Sequence, residues 1–233
     1  MVIPALNEAD NLPHVFERLP STVDEVVLVD GASVDETVEV ARSLYPRVRI
    51  VAQSRRGKGN ALAAGFAACS CDIIVMLDAD GSTDPGEIPR FVAALLDGAD
   101  FAKGSRFLAG GGSADLTLLR RLGNRFFRKL VNILYGTNYS DLCYGYNAFW
   151  ASCLPAISID CDGFEVETLI GVRIAKAGLR VHEVPSFEHV RRHGASHLHP
   201  FRDGMRVLRT ILREWRREVV APEAGVGTPV KSN

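Results

Sequence analysis

The sequence predicts a doubly wound α/β domain whose mostly parallel sheet is flanked by helices. Three observations carry that expectation. Short, near-continuous runs of β-branched residues recur through the first eighty residues: Val26-Val27-Leu28-Val29, Val48-Arg49-Ile50-Val51 and Ile73-Ile74-Val75-Met76-Leu77. Such runs suit strands buried on both faces, the condition of a parallel sheet. Helical stretches lie between them, at Asp35 to Leu44, Lys58 to Ala68 and Asp84 to Leu96, so successive βαβ units would wind right-handed crossovers over the sheet. Finally, four strand ends carry polar residues, and ligands of open α/β sheets sit beyond the carboxyl ends of the strands.

The elements follow in order. The first strand opens the chain and runs out into Pro4-Ala5-Leu6-Asn7-Glu8, with Asn7 or Asp10 available to cap a first helix. The second ends in Asp30-Gly31-Ala32-Ser33, after which Asp35 is expected to cap a helix. The third ends in Gln53 and then Arg55-Arg56-Gly57-Lys58-Gly59, a basic turn that opens the next helix. The fourth ends in Asp78-Ala79-Asp80-Gly81, and Phe101-Ala102 begins a fifth. Beyond Arg106 the character changes. Ala109 to Ser113 reads as a flexible loop. Leu116 to Tyr135 reads as a basic helix with Leu119, Leu122, Phe126, Leu130 and Leu134 at helical spacing. Glu165 to Ala177 is a further helix closed by Gly178, and Leu179 to Val184 a strand. His189 to His199 is a loop rich in His and Arg, Phe201 to Val220 a last helix, and residues 221–233 a loose tail. One domain over residues 1–220 is expected, with no linker inside it.

Composition narrows the classes. The chain has 233 residues, 47% of them hydrophobic and 24% charged, ordinary for a protein with a full core. Its net charge of −1 argues against general nucleic-acid binding. The near-neutral sum hides an asymmetry: 16 acids against 8 bases in residues 1–100, 12 against 19 in residues 101–233. Five cysteines (Cys69, Cys71, Cys143, Cys153 and Cys161), an odd number without CxxC spacing, read as reduced thiols and suggest a cytoplasmic setting. No apolar stretch has the length of a membrane span and no targeting segment is visible.

Asp78 and Asp80 are the sharpest chemical feature. Two carboxylates one residue apart at the end of an apolar strand repel unless something neutralises them, and a hard divalent cation shared with a diphosphate does so; an acidic turn ahead of Asp84-Pro85 is the plain alternative. Arg56-Gly57-Lys58-Gly59 presents backbone N–H groups and Lys58 to a phosphate, or is a solvated turn. It is neither a Walker A loop nor a GxGxxG fingerprint. Asn7, Glu8 and Asp30 suit hydrogen bonds to a nucleoside or, more simply, caps and turns.

Taken together these residues resemble the family 2 glycosyltransferases of GT-A fold. The resemblance rests on Val2 to Glu8, Val29 to Thr37, Arg56 to Ala61, Leu77 to Asp80, Gly104-Ser105-Arg106-Phe107, Asp141 with Gly145-Tyr146, Phe164 to Glu167, and Glu183-Val184-Pro185 with Arg191, Arg192, Gly194 and Ser196. It spans about residues 1–200 and is nearest to the dolichyl-phosphate mannosyltransferase and polyprenyl-phosphate glycosyltransferase branch.

The resemblance implies a metal-dependent, inverting sugar transfer from a nucleotide-diphosphate sugar. Residues 1–106 would form the nucleotide-sugar half, with Pro4, Ala5, Asn7, Glu8, Asp30, Lys58, Asp78 and Ala79 around the donor, and Asp78 and Asp80 on Mg²⁺ or Mn²⁺. Residues 107–200 would form the acceptor half. Arg106 and Arg121 would stand near the diphosphate or acceptor phosphate, joined by Arg191, Arg192 and Ser196. A phosphate acceptor is already anionic and needs no base. A hydroxyl acceptor does, and Asp141, Asp162, Glu165 and Glu167 are the candidates, with Asp141 and Glu167 foremost beside Asp80 and Arg106. A His of the 189–199 loop could add a metal ligand. A polyprenyl phosphate is the favoured acceptor, a small soluble hydroxyl the nearest alternative, and a nucleotidyltransferase or a sugar-nucleotide-binding module the readings of another class. In the last helix Phe201, Met205, Leu208, Leu212, Trp215 and Val219 alternate with arginines, which suits either contact with the inner face of a membrane or packing against the sheet. The oligomeric state is not specified.

Overall fold

The structure is a computed structural model and describes residues 1–196 and 198–217. His197 and the expected tail 221–233 therefore lie outside the described residues, as does the end of the expected last helix. Nine strands and eight α-helices follow one another among the described residues. The first half contains β1 (Val2–Ala5), α1 (Leu12–Phe16), β2 (Val27–Asp30), α2 (Thr37–Leu44), β3 (Arg49–Ala52), α3 (Lys58–Ala68), β4 (Ile73–Met76), α4 (Ile88–Leu96) and β5 (Phe101–Ser105). The second contains β6 (Gly112–Ser113), α5 (Leu118–Tyr135), β7 (Asn147–Trp150), α6 (Leu154–Ile157), α7 (Val166–Lys176), β8 (Val181–Pro185), β9 (Phe187–Glu188) and α8 (Pro200–Arg216).

The main sheet has seven strands in the order β3-β2-β1-β4-β7-β5-β8. β1, β2 and β3 run parallel with Val2 beside Val27 and Val27 beside Arg49, and β4 joins β1 in parallel on its other side. The sequence reading had no β7. Its four residues, Asn147-Ala148-Phe149-Trp150, slot antiparallel between β4 and β5, because the long excursion after β5 returns the chain to the sheet from the opposite end. β8 pairs with β5 in parallel, and β6 and β9 form a small separate sheet.

The alternation of strand side chains builds two cores. Ile3, Leu28, Val75 and Leu77 meet Leu12 and Val15 of α1 and Ile88, Phe91 and Leu95 of α4 on one face. Val2, Val27, Val29, Ile74 and Met76 meet Leu62 and Phe66 of α3 and Leu169 and Ile170 of α7 on the other. A third cluster, with Val131, Val172, Val207 and Ile211, joins α5, α7 and α8. The last helix thus packs against α5 and α7 rather than against the sheet.

Capping differs from the sequence reading in detail. α1 starts after Asn11, not Asn7 or Asp10. Asp35 lies one residue ahead of the α2 cap position, yet its Oδ1 accepts the Thr37 N–H at 3.1 Å, which serves the same end. Thr117 caps α5 by accepting the Arg120 N–H, and Gly136 closes that helix in the left-handed region. All five cysteines are free thiols, and among the described residues no helix is long and apolar enough to cross a membrane.

Candidate active site

Strand order reverses between β1 and β4, because β2 leaves β1 on one side and β4 lies on the other. The loops after these strands splay apart there and open a crevice. A cavity of about 750 Å³ fills it. Pro4 and Ala5 at the end of β1 with Leu6 and Glu8 beyond it, Gly31 after β2, Gln53 after β3 and Asp78, Ala79, Asp80 and Ser82 after β4 line one end. Leu116, Leu119, Phe126 and Phe127 at α5 with Phe201, Met205 and Leu208 of α8 line the other. The cleft is therefore polar at the strand ends and apolar between the two late helices.

Lys58 stands at the polar centre. Its Nζ lies 2.5 Å from Asp78 Oδ1 and 2.6 Å from Glu167 Oε1. Burial alone would lower its pKa, but the two carboxylates outweigh burial and hold it above the ordinary lysine value. Two glycines make room for this trio. Gly57 adopts φ +112°, and a Cβ there would run into the carbonyl of Asp162. A Cβ on Gly145 would come within 2.9 Å of Lys58 Nζ and 3.0 Å of Asp78 Oδ2.

A second group ties the 189–194 loop over the end of β1. Arg191 Nη1 donates to both Glu8 oxygens at 3.1 Å, and its Nη2 lies 3.4 Å from Asp80 Oδ2. Asn11 donates to Glu8 Oε2 at 2.6 Å and exchanges hydrogen bonds with the backbone of His193. Burial raises the Glu8 pKa, and Asn11 and Arg191 offset only part of that rise.

The third group corrects the sequence reading. Arg106 donates from Nε and Nη2 to Asp141 at 2.7 and 3.0 Å, from Nη1 to Glu188 at 3.1 Å, and its guanidinium stacks 4.8 Å from the Tyr144 ring centre. Asp141 is fully buried; burial would raise its pKa, but the Arg106 charge prevails and holds the carboxyl below the usual range. A carboxylate gripped in this way is a buried anchor, not a base free to take a proton. Arg106 reaches the cavity wall, but its three nitrogens are spent on protein oxygens, so it is a positioning residue rather than a diphosphate ligand.

Other assignments shift as well. Arg121 is exposed and does not line the cavity. Arg120, a step of about 100° around the helix, lines it and pairs with Asp115 at 3.0 Å. Asp30 and Asn7 do not line it either. The Asp30 carboxylate accepts the Ala32 and Ser33 N–H groups, and Asn7 Oδ1 accepts the Val34 N–H, so both are spent on turns. Arg192 is exposed and away from the lining, whereas Ser196 lines it. Asp162 pairs with Arg55 at 2.8 Å, and Glu165 lies outside the lining, so Glu167 is the one proposed base that borders the cavity. Glu188, Tyr144, Asn11 and Arg120 are missing from the sequence reading, because their roles depend on contacts between distant segments.

A divalent cation fits only in part. Among the described residues no group of three or more His, Cys, Asp and Glu side chains is arranged to hold one, so no histidine completes a set with Asp78 and Asp80. Both aspartates border the cavity; Asp80 Oδ1 accepts the Ser82 N–H at 3.0 Å, and its Oδ2 has a 3.4 Å contact to Arg191 to give up. The protein thus offers a two-carboxylate half-site that oxygens of a diphosphate would complete.

Fold and cleft together define a glycosyltransferase domain of GT-A type. The chain belongs to glycosyltransferase family 2: the profile described as "Glycosyl transferase family 2" matches residues 1–155. Glycosyltransferase AglJ of Haloferax volcanii is 30% identical over 207 residues, 88% of this chain and 67% of that protein. Undecaprenyl-phosphate mannosyltransferase of Micrococcus luteus is 33% identical, covering 79% of this chain and 80% of its own. Among solved structures, glucosyl-3-phosphoglycerate synthase from Mycobacterium tuberculosis, in complex with Mn²⁺, UDP and glucosyl-3-phosphoglycerate, superposes with a TM-score of 0.70 at 25% identity, over 97% of this chain and 81% of that one.

Proposed function

We propose that this glycosyltransferase moves a sugar, with inversion, from a nucleotide-diphosphate sugar to the phosphate of a polyprenyl phosphate. The single observation that carries the reading is the two-part cleft: a charged end at Lys58, Asp78, Asp80 and Arg191 continuous with an apolar end between α5 and α8. A donor diphosphate and an acceptor phosphate suit the first, an isoprenoid chain the second. The relative from Micrococcus luteus, named for undecaprenyl phosphate, supports the same acceptor class.

In this reading the nucleoside lies against Pro4, Ala5, Leu6, Gly31 and Gln53. Asp78 and Asp80 would hold Mn²⁺ or Mg²⁺, which when bound neutralises charge on the departing diphosphate. Lys58 and Arg191 add positive charge at the same end of the cleft. Glu167 fixes Lys58 and, because the acceptor is anionic, no base is required. An acceptor phosphate oxygen forms the bond to the anomeric carbon as the bond to the diphosphate oxygen breaks, and the nucleoside diphosphate leaves with the electron pair. Arg106 and Asp141 brace the floor.

A small phosphorylated acceptor is the second reading, favoured by the likeness to glucosyl-3-phosphoglycerate synthase. Two steps separate them. Thermal shift with GDP-, UDP- and dTDP-sugars in Mn²⁺ identifies the donor, and turnover is then compared on a short-chain polyprenyl phosphate and on 3-phosphoglycerate. Transfer to the lipid phosphate alone supports the proposal. Transfer to 3-phosphoglycerate alone, or no shift with any donor, overturns it.

A further inference from the structure

α5 and α8 each carry two apolar faces, and only one is used by the core. At about 100° per residue, Leu118, Leu119, Leu122, Phe126 and Ile133 of α5 fall within an arc of about 100°, opposite the buried Asn124 and Val131. All five are exposed, Leu118 by 72% and Ile133 by 77%. On α8, Phe201, Met205, Leu212 and Trp215 fall within about 80°, opposite the buried Val207 and Thr210, with Phe201 84% and Trp215 56% exposed. A helix that only covers a core has one apolar stripe and a polar remainder. These two have a second stripe turned outward.

Charge completes the pattern. Arg121 and Arg125 flank the outer stripe of α5, Lys129 lies within it and Arg128 beyond Arg121, and the helix contains no acidic residue. Arg202, Arg206, Arg209, Arg213 and Arg216 flank that of α8. Its two acids, Asp203 and Glu214, are buried, and Glu214 is locked to Arg173 at 2.9 Å. Among the described residues Arg121, Arg125, Arg128, Lys129, Arg209 and Arg216 make no ion pair. Every unburied charge on the two helices is therefore positive; Arg120 is spent on Asp115, Arg202 and Arg206 on Asp203 and Arg213 on Asp160, which leaves those six as the unpaired cations of the surface. Leu119 and Phe126 of one stripe and Phe201 and Met205 of the other line the same cavity, so the stripes meet at its opening.

We propose that the joint outer surface of α5 and α8 docks on an anionic phospholipid bilayer, apolar stripes in the interface and arginines on the headgroups. The surface stands on charge and exposure alone. That docking faces the cleft toward a lipid acceptor rests on the function proposed above.

The test uses the full chain with vesicles of phosphatidylcholine, with and without phosphatidylglycerol. Sedimentation is expected with the anionic vesicles only and should weaken with salt, with a blue shift of Trp215 emission. Arg125→Glu/Arg209→Glu should lower partitioning at least about thirtyfold, from about 1 kcal/mol per basic residue. Leu122→Ser/Ile133→Ser should lower it without changing the salt dependence. None of the four residues lines the cavity, so thermal midpoint and turnover on a water-soluble short-chain acceptor should stay at wild-type level. Equal binding to neutral vesicles, no binding to either, or variants that bind like wild type would overturn the proposal. So would a concentration-dependent dimer that Leu122→Ser/Ile133→Ser dissolves in place of vesicle binding. Vesicle binding without transfer to any lipid phosphate would overturn the acceptor assignment and leave the docking surface standing.

Discussion

Asp141→Asn separates a buried anchor from a catalytic base. The Arg106 side chain is 3% exposed and that of Asp141 fully buried, with two charged hydrogen bonds of 2.7 and 3.0 Å between them. Breaking a buried pair by neutralising one partner costs about 3–5 kcal/mol, because the remaining charge loses its compensation. Glu188 stays on Nη1 and asparagine keeps one acceptor, so the lower end, about 3 kcal/mol, is expected. For a chain of this length that is a fall of about 6–12 °C in the thermal midpoint. The pH dependence has a definite sign. The folded pKa of Asp141 lies below the ordinary aspartate value of 3.8, so its contribution is complete above that value and is lost as pH falls through the folded pKa. Wild type should therefore lose stability into the acid range more steeply than the variant. Melting curves across pH, with turnover measured well below the variant's midpoint, check both points. An unchanged midpoint with turnover abolished would refute the anchor assignment and restore Asp141 as a base.

Other perturbations probe the remaining groups. Lys58→Met leaves Asp78 and Glu167 without their shared cation and should weaken donor binding by calorimetry about tenfold or more, the scale of one charged hydrogen bond. Arg191→Ala should raise the donor KM about tenfold to a hundredfold on the same scale. Glu8→Gln should raise the thermal midpoint at neutral pH. The folded Glu8 pKa is raised by burial above 4.5, so its charge costs stability as pH rises through the folded value, and the variant's advantage should vanish in melts below the unfolded value.

Legibility followed sequence distance. β1 to β4 could be read because each is a short apolar run ending in its own polar residues, and those ends carry Glu8, Lys58, Asp78 and Asp80 into the cleft. β7 could not be read, since nothing in Asn147-Ala148-Phe149-Trp150 encodes an antiparallel insertion between β4 and β5. Arg106 and Asp141 were visible as residues, but their bond spans 35 positions and that to Glu188 spans 82, so a pair of anchors resembled a ligand and a base. The resemblance points to Arg121, whereas Arg120 borders the cavity, because adjacent helical arginines look alike until the helix is rotated against its neighbours. The basic stripe of α8 was evident from spacing, whereas the matching stripe of α5 emerged only once packing showed which of its apolar residues the core leaves out.

The central claim is tested most directly by product formation from a nucleotide sugar and a polyprenyl phosphate in Mn²⁺, comparing wild type with Asp80→Ala. The account predicts a glycosylated lipid phosphate from wild type and a loss of about a hundredfold or more in Asp80→Ala, the scale of removing one electrostatic stabiliser of the leaving group. No glycosylated lipid with any donor, or equal turnover by Asp80→Ala, would contradict it.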